Sequence, residues 1–145
     1  MAAFSHKAYT ISATTALSTE LNSLANNANC AASSAIDNTT NLDLEMEVEL
    51  VLAAQGAARS TGAQVFLYIV RSIDGGSNYS DVLESINDIA ATFTLDAATT
   101  ARREVKSDIR IPPGFFKLYV RNATGQAFAA SGNTIRYRTR QLQIV

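Results

Sequence analysis

The chain has 145 residues, 47% of them apolar and 17% charged, with two prolines and a net charge of −1. That length and balance describe one folded domain with a sizeable core and exclude a disordered chain. No apolar run approaches the roughly 20 residues of a membrane helix, so no membrane partner is expected, and "MAAFSHKAYTIS" lacks the apolar stretch of a secretion signal.

The near-neutral total conceals an asymmetry. Residues 1–100 hold eleven acids against Lys7, Arg59 and Arg71, whereas residues 101–145 hold nine bases against Glu104 and Asp108. A basic tail would suggest nucleic acid. Here the bases are dispersed through strand-like sequence, so no nucleic-acid partner is expected. The two halves instead complement each other, within a chain or between chains. Cys30 is the only cysteine, so no disulfide forms within the chain. Beside Ala31 and Ala32 it reads as a small buried apolar residue rather than a reactive thiol. The sequon Asn122-Ala123-Thr124 carries no weight without a secretory route.

Residues 1–40 are rich in Ala, Ser, Thr and Asn and are expected to form an N-terminal arm. Within it "AYTISA" alternates like a short strand. "TALSTELNSLANN" sets Leu17, Leu21 and Leu24 at helical spacing behind Thr14 or Thr15 as N-cap, which predicts a short helix. An extended arm lying across another surface is the alternative.

A β-sandwich domain is expected over 41–145. "NLDLEMEVELVL" puts Leu42, Leu44, Met46, Val48 and Leu50 on one face and Asp43, Glu45, Glu47 and Glu49 on the other, predicting a strand over 42–54. After the loop "QGAARSTGA", "QVFLYIVRSI" is apolar on both faces and predicts a strand covered on both sides. The two are expected to pair as an antiparallel hairpin. "DGGSNYSD" has turn chemistry, and "VLESINDIA" fits either a loose helix or an irregular loop.

"ATFTLDA" and "REVKSDIRI" predict short strands, and Pro112-Pro113-Gly114 must break the ladder. "FFKLYVRN" resumes as a strand, "ATGQAFAASGN" is a loop or short strand pair, and "TIRYRTRQLQIV" is the last strand. Seven or eight strands with turns about every 10 residues predict an all-β fold. The expected architecture is an antiparallel β-sandwich or jelly roll with an N-terminal arm or short helix. No long-period repeat suggests a solenoid.

Catalytic chemistry finds little support. His6 is the only histidine, and no G-x-S-x-G surrounds any serine. One Cys and one His cannot build a zinc site. Glu45, Glu47 and Glu49 stand about 6.5–7 Å apart along a strand face, a spacing compatible with an inverting glycosidase. A regular row on a solvated face is the commoner reading, and the chain has no Trp to stack a sugar.

Asp74, Ser77, Asn78 and Asp81 offer oxygen ligands but miss the EF-hand pattern, so a plain turn is expected. No phosphate-binding glycine loop is present. Phe115, Lys117, Tyr119 and Arg121 share one strand face as in an RNA-binding sheet, though an ordinary half-buried strand gives the same pattern. The expectation is a non-enzymatic protein with no metal and no cofactor.

The acidic row has a counterpart. In "TIRYRTRQLQIV", Arg136, Arg138 and Arg140 alternate with Ile135, Tyr137 and Thr139 at the same period of two. Glu45, Glu47, Glu49, Arg136, Arg138 and Arg140 are therefore the candidate interface residues. They match either as neighbouring strands of one sheet or across subunits, where arginine's planar fork would fix register.

The segment from "VELVLAAQG" through "SIDGGSNY" (Ser72–Tyr79), "PPGFFKL" and "NATGQAFAASGNT", about residues 42–140, resembles small β-rich virion proteins of tailed bacteriophages. Among these it is most similar to capsid decoration or cement proteins. The resemblance implies a jelly-roll-like sandwich without cofactor, a dimer or trimer that binds the outer surface of a capsid and clamps neighbouring copies of the major capsid protein. It also implies residence in the virion after assembly in the host cytoplasm. A receptor- or carbohydrate-binding tail component on a β-sandwich is the alternative, with Tyr68, Tyr79 and Tyr119 as its aromatic candidates.

Overall fold

The computed structural model describes residues 4–6 and 12–144. Its strands are β1 (Phe4–His6), β2 (Thr14–Leu17), β3 (Ile36–Asp37), β4 (Glu45–Leu52), β5 (Gln64–Arg71), β6 (Ile89–Thr94), β7 (Arg102–Arg110), β8 (Phe115–Ala123), β9 (Thr134–Arg140) and β10 (Leu142–Ile144). They form one four-stranded sheet in the order β2-β9-β4-β7 and a second in the order β3-β8-β5-β6; β1 and β10 make a separate ribbon. Every pairing is antiparallel. The fold is an all-β antiparallel sandwich.

Alternation builds its core. Along β4 each second residue is buried, and Met46, Val48, Leu50 and Leu52 meet Val65, Leu67 and Ile69 of β5 and Phe116, Leu118 and Val120 of β8. The expected covering of β5 on both sides is present. Its outward Tyr68 and Val70 are also buried, because residues of the 72–88 loop fold back over that face.

The structure corrects four local expectations. The strand predicted from Leu42 begins at Glu45. Leu42 is left-handed at φ 50° and both Leu42 and Leu44 are exposed, while Asp43 turns inward. The cause is Asn38, whose side chain accepts the Asp43 N–H and donates to the Asp43 and Pro112 carbonyls, each at 2.8 Å.

The expected hairpin of β4 with β5 does not form, since the two strands lie in different sheets. In one sheet, Glu45, Glu47 and Glu49 would share a face with the apolar Phe66, Tyr68 and Val70. Separation lets the acids find bases and the apolar row find cover.

The helix expected around Leu17, Leu21 and Leu24 is a single 3-10 turn, Thr19–Leu21. Those leucines are buried, but Ser23 and Asn27 are left-handed at φ 54° and 61°, which ends any helix. Finally, the last predicted strand divides at Gln141 into β9 and β10. The strand read in "AYTISA" lies largely outside the described residues.

Candidate functional site

β4 sits between β9 and β7, and its register sets Glu45 opposite Arg140, Glu47 opposite Arg138 and Glu49 opposite Arg136. The two rows thus match within one chain, as neighbours in one sheet. Arg136 reaches the Glu49 carboxylate at 3.2 Å, Arg138 reaches Glu47 at 2.5 Å and Arg140 reaches Glu45 at 2.7 Å. β7 adds contacts from the other side: Arg103 lies 3.4 Å from Glu49, and the Ser107 hydroxyl donates to Glu47 at 3.0 Å. Arg140 also bonds Asp108.

Each carboxylate of the row is therefore engaged by a guanidinium, and Glu47 by a hydroxyl as well. Both oxygens of Glu47 and of Glu49 are bonded within the sheet, as is Oε2 of Glu45, so these oxygens serve the sheet's own contacts. The face works as a charge lattice in which each partly exposed pair contributes about 0.2–1 kcal/mol.

The outward face of the second sheet is closed by the 72–88 loop. Tyr68 and Tyr119 stack with centroids 4.7 Å apart and planes 5° from parallel. Burial raises both phenol pKa values. Asn87 donates to the Tyr119 hydroxyl at 3.4 Å, Arg121 bonds Glu84 at 2.8 Å, and Lys117 lies 4.2 Å from the centre of the Tyr79 ring. The aromatic and basic residues that suggested an RNA-binding sheet are thus occupied with the loop. Tyr68 and Tyr119 are likewise closed to a sugar.

Asp74 serves its own turn. It accepts bonds from the Asn78 N–H and side-chain amide and from the Ser72 hydroxyl, led by the Asn78 backbone, and these hold its carboxyl at about 2. Among the described residues no three Asp, Glu, His or Cys side chains gather as a metal site. The His6 side chain lies outside the described residues.

Two features had no clear signal in the sequence. Arg59 has a fully buried side chain and donates to the Asp96 carbonyl and carboxylate, to Gln55 and to the Thr100 carbonyl. The only hint was a lone charge in a loop of small residues. Second, Cys30 Sγ and Ser33 Oγ accept the backbone N–H groups of Val120 and Leu118. Short polar or sulfur side chains facing a strand edge can do this, but their sequence does not say which edge.

Several large apolar side chains on and beside the loop are exposed. Ile86 and Ile89 are more than half exposed, and they border a groove of about 370 Å³ between β6 and β7 that is also lined by Ile69, Ile109, Arg71 and Arg110. Ile73 and Leu83 stand exposed on the same 72–88 loop. No model of a known protein family matches the chain, and no curated protein matches it either.

Proposed function

We propose that the chain is a structural virion protein that binds the outer surface of a phage capsid and cements neighbouring major capsid protein subunits. One observation carries this reading beyond the sequence resemblance. The acidic and basic rows and the Tyr68–Tyr119 stack are committed to internal contacts, whereas Ile73, Leu83, Ile86 and Ile89, all between residues 73 and 89, are among the large apolar side chains left exposed. Of these, Ile86 and Ile89 border a groove shared with Arg71, Asp88 and Arg110, and exposed apolar side chains beside charged ones suit a protein-binding surface. Such a protein needs no cofactor, since added interface area and matched charge are what hold capsomers together.

Purified protein should co-sediment with expanded capsids and raise their disruption temperature, and the double variant Ile86→Asp/Ile89→Asp should lose both effects while keeping its fold by circular dichroism. A protein that neither co-sediments nor stabilises capsids, and instead binds glycans on an array, would give the lead to a carbohydrate-binding tail component.

A further inference from the structure

Of the edge strands of the two four-stranded sheets, β7 is the longest at nine residues; β6 has six, β2 four and β3 two. Among the described residues no strand pairs with its outer side, and the ladder tells which backbone groups that leaves open. The Leu44 carbonyl accepts the Ile111 N–H at 3.2 Å, on the β7 side of β4. From Glu45 onward β4 alternates without interruption, so Met46, Val48 and Leu50 also turn their backbone groups toward β7. Their partners there are Ile109, Lys106 and Glu104. The N–H and C=O groups of Arg103, Val105 and Ser107 therefore point away from the sheet.

The sequence on that edge is Arg103-Glu104-Val105-Lys106-Ser107, and its charges are self-complementary about Val105. In an antiparallel pair with a second copy centred there, Glu104 faces Lys106 on one side of the sheet. Arg103 faces Ser107 on the other, and Val105, 47% exposed in the single chain, faces itself. We propose that the protein forms a twofold dimer through this pairing of β7 with β7, which joins the two β2-β9-β4-β7 sheets into one.

Each Val105 N–H donates to the Val105 carbonyl of the second copy, and Arg103 and Ser107 exchange the same bonds on either side. Within one chain Lys106 already lies 2.7 Å from Glu104; in the dimer each carboxylate gains a second ammonium directly opposite.

Neighbouring registers are refused by charge. Centring the pair on Glu104 sets Glu104 against itself and Arg102 against Lys106. Centring it on Lys106 sets Lys106 against itself and Glu104 against Asp108. Like charges directly opposite are destabilising. The ladder also ends cleanly. Asp108 is left-handed at φ 60° beside a register shift, and Arg102 is drawn to Asp96. Charges and a bulge on an edge normally prevent pairing with other strands. This set admits an antiparallel copy of itself, as a symmetric interface requires.

The test uses purified whole protein without capsids, so its outcome is separate from that of the capsid reading. Sedimentation equilibrium over a concentration series reaching the high micromolar range should show a monomer–dimer equilibrium. Val105→Pro removes an outward N–H without touching the β4 ladder and should leave a folded monomer. Glu104→Lys and Lys106→Glu each place like charges opposite one another and should weaken self-association by about tenfold or more. Mixed in equal amounts, these two variants should recover a heterodimer. A wild type that stays monomeric throughout the series overturns the proposal. So does a dimer that survives Val105→Pro, or single variants that fail to complement when mixed.

Discussion

At the scale of single residues, Arg59 governs the end of the sandwich opposite the 72–88 turn. A buried guanidinium persists only when its donors are met, and Gln55, Asp96 and Thr100 meet them. The partners at Asp96 and Thr100 lie 37 and 41 residues along the chain, so nothing local in "QGAARSTGA" announces an inward-pointing arginine. Asp96 is shared with Arg102. The bond from Arg102 first, and then that from Arg59, hold its carboxyl at about 2, below the ordinary 3.8.

A carboxyl depressed in the folded state stabilises fully above its unfolded value, and that contribution disappears as pH falls through the folded one. Stability should therefore decline between about pH 4 and pH 2, with Asp74, also held at about 2, acting in the same window. Asp96→Asn should reduce the steepness of that decline in urea melts taken at successive pH values. An unchanged slope would mean that the two arginines do not hold the carboxyl.

At the scale of elements, the acidic and basic rows were legible because a strand repeats every two residues, so equal pitch on β4 and β9 could be read directly. Sequence left open whether they met within a chain or between chains, and register answers it: Glu45 to Arg140, Glu47 to Arg138, Glu49 to Arg136. The hairpin expectation failed because adjacency in sequence ignores what each face must touch. β4 needs bases beside it and β5 needs cover, and no single sheet provides both.

Charge reversal tests the central pair. Glu47→Arg alone should cost about 1 kcal/mol, since it both loses Arg138 and repels it, and Arg138→Glu should do likewise. The combined variant should recover most of the loss in denaturant melts, and added salt should shrink the differences. If the double variant is as unstable as the two losses summed, the rows are not coupled.

At the scale of the whole molecule, residues 14–37 tie the two sheets together. β2 closes one edge of the first sheet on β9; Leu21 and Leu24 then cover the core; the chain next runs beside β8, the partner of β3 in the second. Along β8 the contact is irregular but continuous. Asn27 donates to Asn122, Asn122 to Ala28, Cys30 to Val120 and Ser33 to Leu118, before Ile36 and Asp37 pair with Phe116 and Phe115. Small side chains allow that close approach, which is the part of this segment its composition made legible; its leucine spacing misled because Ser23 and Asn27 turn the chain between the anchors.

Burial raises the Cys30 thiol to about 11 although the Val120 N–H pulls the other way, so near neutral pH it is both protonated and covered. Thiolate is the reactive form. Because the segment spans both sheets, its release should require loss of the whole fold. Labelling of Cys30 by a disulfide reagent under native conditions should then report the same opening free energy as a denaturant melt. A markedly smaller value from labelling would show instead that the segment peels from β8 while the sandwich behind it stays intact.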